Sequence, residues 1–324
     1  MPAEWARHER TLMAWPCRAA LWGPELEQAR DDYATVVNAI AAFEPVTLVA
    51  HPADVADARA AVTSRVEVVE LEIDDSWMRD TGPIFVVDES GRRKGVHFRF
   101  NGWGGSWTPY DHDEQAGRRL VERLGDHLVE APLVLEGGSI AVDGHGTLLT
   151  TEQCLLNPNR NPDRSREEIE AILHEHLGVE RVVWLGEGLV EDRDTDGHVD
   201  LIASFSAPGR VLLQAVPEDN PNFAAMEENR RRAEVAGLEV VPLEQLAYAQ
   251  VAGEEVVVSY LNHYVCNRAV IVPVAGDEQD EPALATIAEA FEGREVVPVP
   301  GRVLAYGGGG PHCITQQVPE QPRD

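Results

Sequence analysis

Val66-Glu67-Val68-Val69 is a short β-branched run, and similar runs return at His127-Leu128-Val129, Arg181-Val182-Val183-Trp184, Glu239-Val240-Val241 and Glu295-Val296-Val297. Their starts lie about 55 to 60 residues apart, so the chain reads as repeated supersecondary units. Each run is followed by a loop and then by further strand-like segments: 84–87 with 96–100, 139–142 with 147–150, 201–205 with 211–215, and 255–261 with 269–273. The fifth unit offers only 303–306 as a strand. Helical patterns with apolar positions three and four apart fill the spaces, over 25–43, 115–124, 164–177, 222–236 and 282–291. A strand, strand, helix, strand unit cannot bury its apolar face alone. Five of them therefore predict a ring of similar α/β units, against the competing reading of an ordinary α/β protein with a chance rhythm.

The placement of polar residues favours the ring. After each run comes a loop or strand end with unusual chemistry: Asp80, Glu136, His198, Asn262 and Cys313. A ring carries equivalent positions of every unit to its axis, so residues scattered along the chain would share one pocket there.

The last of these loops is Tyr306-Gly307-Gly308-Gly309-Gly310-Pro311-His312-Cys313. Four consecutive glycines let a ligand approach the backbone closely, next to a thiol. With an unperturbed pKa of ~8.5 that thiol is mostly protonated at neutral pH, so a nucleophilic Cys313 needs a cationic neighbour or a cationic substrate. His312 is adjacent but should point to the opposite face of an extended strand, which makes His198 the better candidate. If the strand starts near His198, then His198 and Asp200 face one side together. The acidic stretch Asp192, Asp194, Asp196, Gly197 also opens like a calcium loop, but Ala203 stands where that loop requires a bidentate Glu. In Trp77-Met78-Arg79-Asp80 a carboxylate and an indole sit together, a pairing suited to a flat delocalised cation, or simply to an Arg79 ion pair beside a core Trp.

Bulk properties limit the alternatives. With 324 residues the chain is two ordinary domains or one domain of repeats, and 44% hydrophobic with 26% charged residues marks a globular protein. A formal net charge of -29 repels nucleic acid and anionic membrane surfaces while drawing small cations toward a cleft. Cys17, Cys154, Cys266 and Cys313 are scattered without zinc-site spacing, so no metal site is expected. Residues 1–17 lack a secretory apolar run and no segment approaches the ~20 apolar residues of a membrane span, so a cytoplasmic protein with reduced thiols is expected. Oligomeric state is left open, a homo-oligomer being the common condition among soluble enzymes.

Trp77-Met78-Arg79-Asp80, Gly197-His198-Val199-Asp200 and Gly308-Gly309-Gly310-Pro311-His312-Cys313 together resemble the motifs of the guanidine-modifying enzymes, specifically the agmatine deiminase branch of the bacterial-type peptidylarginine deiminase family. Glu136-Gly137-Gly138-Ser139, Leu156-Asn157-Pro158-Asn159-Arg160-Asn161-Pro162 and Cys313-Ile314-Thr315-Gln316-Gln317 look like further signatures, and the set extends from Trp5 to Gln317. Pro311 departs from the family pattern, where a longer side chain is expected. The resemblance implies a single catalytic domain over 1–324, a five-bladed α/β propeller (pentein) of pseudo-symmetric ββαβ units. It also implies a catalytic set of Cys313, His198, Asp80 and Asp200, and hydrolysis of agmatine without a metal or organic cofactor. Candidate substrate contacts are Trp77, Glu136, Asp194, Gly137 and Gly310, with Asp194 and Glu136 expected at an ammonium tail. Deimination of free or peptidyl arginine, or amidino transfer, is the alternative; an α-carboxylate would need an arginine such as Arg10, Arg79 or Arg160.

Overall fold

In the computed structural model, which describes residues 1–321, every β-branched run is a strand that pairs in parallel with the strand before it. Val66–Glu70 lies beside Val46–Ala50, His127–Val134 beside Arg93–Arg99, and Arg181–Leu185 beside Thr147–Thr151. Glu239–Leu243 lies beside Arg210–Gln214 and Glu295–Pro300 beside Ala269–Val274. Parallel neighbours cannot be joined by a tight turn, so a helix makes each crossover, as Asp111–Leu124, Arg166–Leu177, Phe223–Val235 and Asp280–Ala290 do.

A third strand completes each sheet on the other side, antiparallel to its neighbour. Ile84–Val87, Ile140–Val142, Ala203–Ala207 and Tyr264–Cys266 take that place in four sheets. In the remaining one, the C-terminal strand Thr315–Pro319 pairs antiparallel with His8–Ala14, which runs parallel to Val46–Ala50 across the helix Leu26–Ala41. One strand, strand, helix, strand connectivity thus recurs in five sheets, the fifth assembled from both ends of the chain.

Four expectations need correction. The β-branched runs close their sheets instead of opening the next unit, because the crossover helix delivers them back to the preceding hairpin. Residues 303–306 belong to a helix, Arg302–Tyr306, held by Ala305 N–H to Gly301 O and Gly307 N–H to Val303 O. Four apolar residues cannot distinguish the two periods, and burying Val303 and Leu304 against the hairpin beneath selects the helix. The segment expected at 255–261 is Glu254–Val258, which forms a separate hairpin with Ala247–Val251. The segment expected at 201–205 is the strand Ala203–Ala207, preceded by a 3-10 turn over Val199–Leu201.

The crossover helices bury one face. On Leu26–Ala41, Ala29, Tyr33, Val36, Val37 and Ile40 recur three and four apart and all have no solvent exposure, with roughly 1.5–3 kcal/mol for each fully buried large apolar side chain. Among the described residues, no helix is long and apolar enough to cross a membrane.

Candidate active site

His198 is delivered by a turn that Asp192 holds: its carboxylate accepts the N–H groups of Thr195, Gly197 and His198 at 3.0, 2.9 and 3.1 Å. The 3-10 turn that follows turns the Asp200 carboxylate to the same side, so the two residues face one site without the expected strand alternation. The turn Pro311 to Ile314 presents Cys313, and Asn262 clamps it: the Asn262 amide donates to Cys313 Sγ at 3.1 Å, and its carbonyl oxygen accepts the Cys313 N–H at 3.2 Å. Pro311 contributes its carbonyl to the Thr315 hydroxyl at 2.8 Å. Arg79 N–H donates to Cys313 O at 3.1 Å, which ties the helix Met78–Thr81 and its Asp80 to the nucleophile loop.

These elements bring Asp80, His198, Asp200 and Cys313 together. The Cys313 thiol donates to Asp200 Oδ2 at 3.3 Å, and His198 Nδ1 lies 4.0 Å from both Asp200 Oδ1 and Asp80 Oδ1. Asp80 accepts from Gly138 N–H and from the Trp103 indole, each at 2.9 Å. Asp200 Oδ1 and both His198 ring nitrogens are buried and make no hydrogen bond among the described residues.

A narrow cavity of about 20 Å³ opens beside the thiol. Trp77, Trp103 and Trp107 wall it, and Asp80, Asp194, Gly308 and Cys313 also line it. Trp77 is stacked on Trp22 with ring centroids 5.8 Å apart, and the Trp107 indole donates to Asp194 at 3.3 Å. Indole faces and carboxylates form a lining suited to a planar cation on an aliphatic chain.

The electrostatics follow from burial. Burial, then Asp200 and Asp80, push the Cys313 thiol well above its ordinary pKa. Burial opposes charge on His198, but Asp80, Cys154 and Glu136 outweigh it and hold the imidazolium well above the ordinary histidine range. Burial raises Asp80. It would raise Asp200 too, yet the hydrogen bond and charge of His312 bring that carboxyl below the ordinary value.

Two candidate substrate contacts, Glu136 and Gly137, are placed elsewhere. Glu136 is fully buried on the far side of His198, with Oε2 at 3.7 Å from Nε2 and Oε1 accepting from Arg160 at 2.7 Å, so it cannot meet an ammonium in the cavity. Gly137 packs on the Arg79 carbonyl, whereas Gly138 and Gly308 border the site and the Gly310 backbone N–H is directed at the Cys313 thiol. The arginines considered for an α-carboxylate are also committed: Arg79 to Gln317 and the His312 carbonyl, Arg160 to Glu136 and Asp196, and Arg10 to Thr47 and Glu67. The calcium reading fails on geometry, since Asp192, Asp194 and Asp196 point at the 195–198 turn, at Trp107 and at Asn159 with Arg160. Glu136, Cys154 and His198 offer ligand atoms within 4.8 Å of one another and could hold a metal ion, although Arg160 already neutralises the Glu136 carboxylate.

A model of the Porphyromonas-type peptidyl-arginine deiminase family matches residues 1–319. The chain belongs to this family. Relatives within reach of this Porphyromonas-type deiminase include the agmatine deiminase of Pseudomonas fluorescens, 44% identical over 100% of this chain and 96% of that one. The agmatine deiminase of Stutzerimonas stutzeri is 43% identical over 98% of this chain and 95% of its own. Among solved structures, the Enterococcus faecalis agmatine deiminase superposes with a TM-score of 0.94 at 34% identity, covering 99% of this chain and 96% of that one. The substrate-bound C. jejuni agmatine deiminase gives 0.92 at 27%, over 100% and 96%. The mixed α/β fold is therefore that of the agmatine deiminase structures.

Several residues that build this family member's site escaped the sequence reading. Trp103 and Trp107 sit in Asn101-Gly102-Trp103-Gly104-Gly105-Ser106-Trp107, where glycines flanking indoles were a usable signal. Nothing local marks Cys154 or Glu4, whose partners Glu136 and His312 lie 18 and 308 residues away along the chain.

Proposed function

We propose that this chain is an agmatine deiminase, a hydrolase that converts agmatine and water to N-carbamoylputrescine and ammonia. The observation that carries it is the single pocket in which the Cys313 thiol, the His198 imidazole and two carboxylates face one another beside an indole-walled cavity. Asp80 and Asp200 bind the guanidinium edge by charged hydrogen bonds. Its positive charge offsets the two carboxylates that disfavour the thiolate, so the nucleophile ionises when substrate arrives. Cys313 sulfur then attacks the central carbon, the C–N bond breaks, and the His198 imidazolium protonates the departing ammonia. The resulting neutral imidazole takes a proton from the water that cleaves the thiouronium, which frees Cys313. No step calls on a metal or cofactor.

Asp194, which lines the same cavity as Trp77 and Trp107, receives the ammonium at the other end of the chain on this reading, with the two indoles along the methylenes. Among the described residues lining this cavity there is no arginine to meet an α-carboxylate, which favours agmatine over arginine. On the same reading the chain is one cytoplasmic catalytic domain over 1–324, possessing a five-bladed α/β propeller whose sheets ring the site.

The test is a substrate panel of agmatine, arginine and a blocked arginine peptide assayed for ammonia. Agmatine should be turned over best, and Cys313→Ala should lose activity by on the order of 10⁴-fold or more. Equal turnover of free arginine would refute the substrate assignment and leave the deiminase chemistry standing.

A further inference from the structure

Behind the nucleophile, on the side of Asp200 away from the cavity, a chain of buried charges continues. His312 Nδ1 lies 2.8 Å from Asp200 Oδ2, and His312 Nε2 lies 2.7 Å from Glu4 Oε1. Glu4 in turn faces Arg79 Nη1 at 3.7 Å, while Arg79 Nε donates to the His312 carbonyl at 3.3 Å. The order outward from the thiol is carboxylate, imidazole, carboxylate, guanidinium.

Proton counting decides the state of the ring. A neutral imidazole has one N–H and one lone pair, so either tautomer would aim a lone pair at a carboxylate oxygen in a site where His312 is only 5% exposed. An imidazolium donates at both nitrogens and leaves no such conflict. Burial and the Arg79 guanidinium oppose that charge, and Glu4 and Asp200 together outweigh them. His263 also faces Glu4 and His312, but burial lowers it to about 4 and leaves it neutral. Interactions with His312 and Arg79 hold the Glu4 carboxyl far below the usual range against burial.

The second consequence concerns Asp200. Its Oδ2 accepts both the His312 N–H and the Cys313 thiol, whereas its Oδ1 has no hydrogen-bond partner among the described residues and lies 4.0 Å from His198 Nδ1. The anchored oxygen sets the plane of the carboxylate, and the other oxygen is left for a ligand. Asp80 across the site is a second negative charge that disfavours ionisation of Asp200, so a fixed cation behind it has work to do.

We propose that His312 is a permanent imidazolium, clamped by Glu4, that orients Asp200 and keeps it ionised; His312 and Glu4 are positioning residues for the reaction. The catalytic part of this rests on the reading of Asp200 as a guanidinium-binding carboxylate. The charge state of the ring does not.

Nitrogen-15 NMR of histidine-labelled protein, with His312 assigned by comparison with His312→Asn, tests the charge. At about pH 8, where an unperturbed histidine is almost wholly neutral, both His312 nitrogens should still show the imidazolium signature, and Glu4→Gln should return its titration toward the ordinary range. In Glu4→Gln and His312→Asn, the acid limb of kcat/KM for agmatine should move to higher pH by about one unit, a loss of about tenfold on that side. A neutral wild-type His312 at that pH, or variants whose activity falls with no change in the acid limb, would overturn the proposal. An imidazolium in a wild-type protein that does not turn over agmatine would instead remove the proposed activity and support the charge assignment.

Discussion

Asp80 and Asp200 have opposite effects before and after substrate binds, and this separates their roles from plain structural ones. In the free protein they add to burial in disfavouring the Cys313 thiolate; with a guanidinium between them that penalty is offset. Alkylation of free Cys313 should therefore be slow at neutral pH and accelerate only as pH rises beyond the ordinary cysteine range. Removing one negative charge by Asp80→Asn lowers the thiol pKa, so iodoacetamide should react faster at neutral pH, by about tenfold for each unit recovered. Agmatine turnover should fall in the same variant, since half of the guanidinium clamp is gone. Mass spectrometry of the Cys313 peptide reads the first effect, and unchanged alkylation would refute this account of the thiol. The carboxylates, the imidazole and the thiol were each visible in the sequence as unusual residues in loops. Their charge states were not, because those depend on neighbours such as Glu4, Cys154 and Trp103 that other parts of the chain supply.

Glycine loops do for backbone segments what burial does for charges. A methyl group built on Gly138 would lie 2.6 Å from His198 Nδ1, 2.9 Å from Asp200 Oδ2 and 3.0 Å from Asp80 Oδ1, at the centre of the site. Built on Gly309, it would lie 2.7 Å from both Cys313 Cβ and Sγ. Gly138→Ala and Gly309→Ala should each lower agmatine turnover by roughly a hundredfold or more, the cost of about 1 Å of misplacement, while thermal melting changes little. Gly186→Ala is the control, since its methyl meets nothing closer than 3.5 Å, and its activity should match the parent. Parent-like activity in Gly138→Ala would show that the catalytic groups do not crowd that point. The sequence marked both loops as glycine-rich, but which glycine borders the site depended on the fold, as Gly138 in place of Gly137 makes plain.

One strand joins the two ends of the chain in a single sheet. Thr315–Pro319 follows Cys313 almost directly and forms the edge of the first sheet against His8–Ala14, with Leu12 opposite Gln316 and Val318 wholly buried. The Pro319 carbonyl also accepts from Arg93 at 2.8 Å, which links this sheet to the next. Deleting residues 315–324 would expose the unpaired backbone of His8–Ala14 and remove the segment that anchors the nucleophile loop. The truncated chain should lose its cooperative thermal transition and its activity together, as circular dichroism and the ammonia assay would record. A folded, active truncation would mean that the C-terminal strand does not hold the first sheet and the nucleophile loop in place.

By itself the sequence determined what is local or periodic: five β-branched runs, the helices between them, and polar residues at corresponding points after each run. Asp80, Glu136, His198, Asn262 and Cys313 were found because a repeat places equivalent residues alike, whatever the details of packing. Tertiary structure alone decided the rest. It turned 302–306 into a helix, moved Glu136 behind His198, and set Glu4 against His312 across 308 residues of chain. Periodicity is carried by neighbours along the backbone and can be read there, whereas an ion pair or a packed glycine is chosen by whichever distant segment arrives beside it.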